Sequence, residues 1–116
     1  MAKPTISTQP LAALFGSQTA CQVLLFLENY EQGYASEIAR TYGISLNQVQ
    51  NQLRKFEEAG LLVSRSEGTT RNYYFKPGPV ADALRVFLRD MLRQLPRSEI
   101  DAYYRERRRP RRFGKR

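Results

Sequence analysis

The chain contains no histidine and no tryptophan, and its single cysteine is Cys21. That inventory excludes a metal site built on imidazole or paired thiolates, and it excludes a disulfide framework. A Cys–His or Ser–His catalytic pair is excluded with them. Carboxylates, lysines and tyrosines remain, and none of them forms a recognisable nucleophile–base pair, so a non-enzymatic role without a cofactor is expected. Cys21 lies inside an apolar helical pattern and reads as an inert core thiol. Long hydrophobic runs are missing too. Nothing approaches the roughly 18 apolar residues that a membrane helix requires, and MAKPTISTQP lacks the apolar core of a signal peptide. A cytoplasmic protein with no membrane partner follows as the expectation.

What is present is positive charge. The formal net charge is +8 over 116 residues, a length that suits one domain. From Arg97 onward there are nine basic and three acidic residues, net +6, which leaves ten against eight, net +2, for everything before. The charge therefore sits at the end of the chain, and an acidic partner such as nucleic acid is implied.

The pattern along the chain divides it into a loose arm over 1–10, a domain over 11–95 and a basic tail over 96–116. LAALF is a short apolar helical turn closed by Gly16, after which Ser17 offers an N-cap for a helix to about Asn29, with Val23, Leu24, Phe26 and Leu27 buried. Gly33 breaks that pattern. Ser36 starts the short helix SEIARTY, which buries Ile38 and Ala39, and Gly43 is placed to end it in the left-handed conformation. Ser45, with Gln48 three residues later, forms a capping-box pattern for the next helix, in which Val49, Leu53 and Phe56 recur at helical spacing up to Gly60. The period then changes. LLVSRS and RNYYFK flank Glu67-Gly68-Thr69-Thr70 and read as a hairpin with a four-residue tip, stopped by Pro77 and Pro79. From Val80 a continuous apolar stripe runs to Leu95, with Arg85, Arg89 and Arg93 opposite and Asp82 and Asp90 in pairing reach. Ser98 to about Arg108 suits one more helix, opened by a Ser-x-x-Asp cap.

The helix from Ser45 poses the sharpest question, because five of the six residues from Asn47 to Gln52 are amides. On a wheel of about 100° per residue, Leu53 and Phe56 fall within about 40° of Val49, whereas Asn47, Asn51 and Arg54 fall on the far side with Gln48 and Gln50 on its flanks. Solvated helix faces usually alternate Glu and Lys. Asn and Gln instead donate and accept together, which matches adenine N6 and N7, while Arg suits guanine O6 and N7. A neutral amide face therefore points to reading base edges rather than to attracting phosphates.

A short helix joined through a glycine turn to a longer one, followed by a hairpin, is the winged helix-turn-helix arrangement, a mainly α (α+β) fold with a two-stranded wing and a long C-terminal helix. The SEIA helix, the GIS turn, the EEAGLLVSR exit and the Arg-x-Tyr start of the second strand resemble the winged helix-turn-helix transcriptional regulators of the ArsR and MarR type. The resemblance spans about residues 11 to 95. It implies that the helix matching Ser45–Ala59 enters the major groove of double-stranded DNA, with Ser45 at its head. Asn47, Gln48, Gln50, Asn51 and Arg54 then correspond to reading positions, and Arg65, Thr69, Thr70 and Arg71 to wing contacts on the backbone or minor groove. Two departures stand out. Metal-sensing ArsR members carry cysteine in the preceding helix, where this chain reads YASEIA, so metal sensing is not implied. The tip residues Thr69 and Thr70 also replace the usual surplus of Arg and Lys.

The stripe of the long helix is wider than packing on one small domain requires. An intramolecular core is one reading of it, and the preferred one is a homodimer interface built from Leu11, Leu14, Leu84, Phe87, Leu88, Met91, Leu92 and Leu95. In the tail, Arg105, Arg107, Arg108, Arg109, Arg111 and Arg112 supply sequence-independent attraction to phosphates. Tyr103, Tyr104 and Phe113 lie among them and suit stacking on unpaired bases, which keeps RNA as an alternative partner. A winged helix used as a protein- or RNA-binding module is the other reading.

Overall fold

The computed structural model describes residues 9–105. In chain order the elements are α1 (Gln9–Phe15), α2 (Gln18–Tyr30), α3 (Ala35–Tyr42), α4 (Leu46–Glu58), β1 (Leu62–Glu67), β2 (Thr70–Phe75), α5 (Pro79–Arg93) and α6 (Arg97–Tyr103). This is a winged helix-turn-helix fold, with β1 and β2 as the wing. Of the arm expected over 1–10, Gln9 and Pro10 belong instead to α1, and residues 1–8 lie outside the described residues, as do the tail arginines Arg107, Arg108, Arg109, Arg111 and Arg112, Phe113 and the side chain of Leu11.

The organisation starts at Ser17, whose hydroxyl accepts the backbone N–H of Ala20 at 3.0 Å and so opens α2 as expected. Ala20, Cys21, Val23, Leu24, Leu25, Phe26, Leu27 and Glu28 of α2 are all buried, more than the stripe alone implies. A helix apolar all round needs neighbours all round, and α2 has them: α1, α3, α4, α5 and β2 pack against it. Cys21 is fully covered, and burial first, with the Glu99 charge second, pushes its thiol up to about 12, so it stays protonated and unreactive at neutral pH.

Two connections around α2 were not legible as such. Gly33 pairs with Tyr73 of β2 in a single antiparallel bridge, N–H to carbonyl at 3.3 and 2.8 Å. A Cβ on Gly33 would lie 2.6 Å from Cε1 of the buried Phe26 ring, so glycine is required here by close approach. Glu28 is the second. Its carboxylate, 5% exposed, accepts from Arg85 Nε at 2.7 Å and from Arg89 Nε at 3.2 Å, and Arg85 also lies over the Phe75 ring. Arg85 and Arg89 therefore face α2, while Arg93 pairs with Asp90 along the helix as its spacing suggests.

Several boundaries shift. α3 starts at Ala35 with Tyr34 as its N-cap, so Ser36 lies inside the first turn, and Glu37 closes the end by accepting the Tyr34 N–H at 3.4 Å. The hairpin register runs from Leu62↔Phe75 to Glu67↔Thr70, which shortens the tip from four residues to Gly68-Thr69. Gly68 takes φ +66 there, the positive value a two-residue turn demands of its first residue. α6 begins at Arg97 because the Pro96 carbonyl, held by φ −58, accepts the N–H groups of Glu99 and Ile100 at 3.0 Å each, so Ser98 is not its cap. On α5, Leu88 (0% exposed) and, beyond its end, Leu95 (5%) face this chain's own core and are withdrawn from any partner. Leu84, Met91 and Leu92 are half-buried, Phe87 is 40% exposed, and Val80 and Leu14 are 72% and 68% exposed.

Replacing Glu28 by Ala is expected to lower the unfolding free energy by about 1–2 kcal/mol, the worth of a charged hydrogen bond once the half-exposed arginines regain water. Urea unfolding followed by circular dichroism reads it, and an unchanged midpoint would show that the clamp adds nothing.

Candidate nucleic-acid interface

The turn before α4 is fixed by local chemistry. Gly43 takes φ 67, ψ 40, and both it and Ile44 donate their N–H to the Ala39 carbonyl, closing α3. Ser45 follows as N-cap, its Oγ accepting the Gln48 N–H at 3.2 Å. The reciprocal half of the capping box does not form, because the Gln48 carboxamide turns toward the Thr19 hydroxyl of α2 at 3.5 Å. α4 ends in a Schellman turn: Leu61 N–H reaches the Phe56 carbonyl and Gly60 N–H the Glu57 carbonyl, both at 3.0 Å, with Gly60 at φ +86.

Between those ends Val49, Leu53 and Phe56 are buried. Asn47, Gln48, Gln50, Asn51 and Arg54 are exposed on the other side, together with Ser45 and with Leu46 at 44%. Arg54 Nη1 donates to Asn51 Oδ1 at 3.1 Å, so these two sit side by side on the exposed face. Gln52, the remaining amide, is half-buried with its Oε1 covered and unpartnered, and so lies off the exposed face.

The hairpin sorts the wing residues by parity. Leu62 and Phe75 are buried and define the inner face, which continues through Ser64, Tyr73 and Arg71. Arg65 belongs to the outer face, where it stacks over Tyr74 at 5.5 Å. On that face Glu67 accepts from Asn72 Nδ2 and from the Tyr74 hydroxyl, each at 2.7 Å. Arg71 and Arg65 therefore do not share a surface, and alternation along the strands already separates them.

Gln50, Thr69, Thr70 and Arg71 do converge. They line an open cleft of about 340 Å³ between α4, the wing tip and the start of α3, together with Tyr34, Ala35, Ser36, Leu46 and Tyr73. Arg71 is its charged lining residue, so the cleft suits an anion flanked by hydroxyls. Ser36 and Tyr34 were missed as site residues because the cap signal hid Ser36 and the bridge at Gly33, which holds Tyr34 beside the wing, has no local signature. The Tyr73 phenol is pushed above its usual range by burial and then by Glu57, against the opposing pull of Arg71 and Arg54.

The tyrosines expected to stack on bases do something else. Tyr104 is 6% exposed, and the Tyr42 hydroxyl donates to its hydroxyl at 2.8 Å. Tyr103 packs on Tyr42 with ring centroids 5.0 Å apart. Burial raises both Tyr42 and Tyr104 well above the ordinary phenol range. The carbonyls that α6 leaves unpaired at its end are taken by α2: Tyr30 Oη lies 2.6 Å from the Tyr103 carbonyl and 3.2 Å from that of Arg105, and Asn29 Nδ2 lies 3.1 Å from that of Tyr104. Arg105 is exposed and pairs with Asp101 at 3.7 Å.

Residues 15–65 match the family model of a helix-turn-helix domain, a span that covers α2, α3, α4 and most of β1. No curated protein and no solved structure matches the chain. Fold and match together define a winged helix-turn-helix protein, and they support a DNA-binding regulator. Among the described residues no helix is long and apolar enough to cross a membrane.

Ser45→Ala is expected to remove the cap of α4 and destabilise the domain by about 1 kcal/mol. Thermal unfolding measures it, and an unshifted transition would mean that water replaces the hydroxyl without loss.

Proposed function

We propose that the protein is a sequence-specific regulator of transcription, of the ArsR/MarR-like kind, that binds double-stranded DNA as a homodimer and represses by covering a promoter. The observation that carries this reading is the exposure of Asn47, Gln50, Asn51 and Arg54 on the side of α4 opposite its buried stripe. A helix seated this way enters the major groove with its amides toward adenine and Arg54 toward guanine. The wing then lies on the backbone or minor groove, with Arg71, Thr69 and Thr70 toward phosphate and Arg65 on the far face. Leu14, Leu84, Phe87, Met91 and Leu92, with exposed Val80, supply the apolar surface for a second copy, which would set two recognition helices about one DNA turn, roughly 34 Å, apart. Such a protein works in the cytoplasm on the nucleoid. The packing of Tyr104 into the core and of Tyr103 on Tyr42 occupies two of the rings on which an RNA-binding reading relies, which supports duplex DNA.

Selection of bound fragments from a random duplex pool tests the reading, and recovery of no common sequence would refute specificity. Asn51→Ala and Arg54→Ala should each cost about 1–3 kcal/mol on the selected sequence and much less on random DNA. Equal losses on both, in gel-shift titrations, would mean that this face reads nothing. Removing residues 106–116, which carry seven basic residues, should instead weaken binding to every sequence and flatten the salt dependence. A salt slope that survives the truncation would place the phosphate contacts elsewhere.

A further inference from the structure

Arg71 is not loose in its cleft. Its Nη1 donates to Ser64 Oγ at 2.9 Å, and the Ser64 hydroxyl donates to Glu57 Oε2 at 2.7 Å. The direction of this chain is forced. A guanidinium only donates and a carboxylate only accepts, so the single Ser64 proton must go to Glu57 and its lone pair must face Arg71. The three residues come from three elements: Arg71 from β2, Ser64 from β1, Glu57 from the last turn of α4. The relay therefore bolts the hairpin to the recognition helix. The wing is also tied to the loop before α3 by the Gly33–Tyr73 bridge, and at its base by the Schellman turn and a hydrogen bond from Lys76 N–H to the Leu61 carbonyl at 2.9 Å. A two-stranded hairpin is marginal in water by itself, and the relay adds a side-chain tie from its strands to α4.

We propose that Ser64 and Glu57 are positioning residues for nucleic acid: through Arg71 they fix the wing against α4, so that helix and wing meet a phosphodiester as one preformed surface. The inference rests on the DNA-binding reading above. The relay uses one of the five N–H donors of Arg71 and leaves the guanidinium able to take a phosphate oxygen. It also gives Glu57 a role opposite to its charge. A carboxylate near DNA ordinarily repels phosphate, whereas here it orders the cation that attracts it, and ordering a long side chain in advance spares the complex that entropy.

The test measures affinity of the full chain for a short fluorescein-labelled duplex of random sequence, at several salt concentrations, with circular dichroism to confirm folding. Ser64→Ala should weaken binding about five-fold, the worth of one net hydrogen bond, and Ser64→Thr, which keeps the hydroxyl, should stay within about two-fold of the unaltered protein. Glu57→Ala should weaken binding as well, although it removes a negative charge. Arg71→Ala should cost less in the Ser64→Ala background than alone, the non-additivity of a shared network. Unchanged affinity in Ser64→Ala, or tighter binding in Glu57→Ala, overturns the relay while the DNA reading stands. Failure of the unaltered chain to hold any duplex overturns both.

Discussion

The seating of α4 on α2 is the constraint from which the rest follows. Val49, Leu53 and Phe56 fill the side of the core that α2 offers, and their burial fixes the rotation of α4 about its own axis. A slip of one residue would turn the helix by about 100°, carry amides into the core and expose the apolar stripe. Burying even one carboxamide without partners costs about 1–3 kcal/mol, so the rotation is strongly specified. The outward direction of Asn47, Gln50, Asn51 and Arg54 is thus a product of packing beneath them and needs no contact of their own.

The arginines are held in two different ways. Arg85 and Arg89 share the buried Glu28, Arg93 pairs with Asp90, and Arg105 with Asp101, so these four arginines lie against three carboxylates. On the side facing the cleft and the outer surface of α4 the partners are neutral: Arg54 rests on Asn51, and Arg71 on Ser64. A neutral acceptor orients a guanidinium without pairing its charge directly, and Glu57, one hydrogen bond beyond Ser64, offsets the Arg71 charge only from a distance. The nearly neutral domain is therefore not electrostatically uniform.

Local signals were legible in the sequence, and long-range ones were not. Ser17, Gly43, Ser45 and Gly60 each act within a few residues of themselves, and each behaves as its residue type dictates. The apolar stripe of α4 likewise predicts its buried face. The Glu28 clamp was missed because its arginines lie 57 and 61 residues away, and Asp82 and Asp90 offered nearer partners. Tyr103 and Tyr104 were misjudged by their basic neighbours in sequence, when Tyr30 and Tyr42 were the neighbours in space. The cleft needed the Gly33 bridge, which depends on a glycine whose reason is a phenyl ring seven residues earlier.

The capping of α6 by Asn29 and Tyr30 reaches beyond the helix itself. Because those side chains grip the last carbonyls of α6 and that of Arg105, the chain as far as Arg105 is rooted at the corner where α2 meets α3. Loosening that grip would free α6 from the corner, as a lever comes off its pivot.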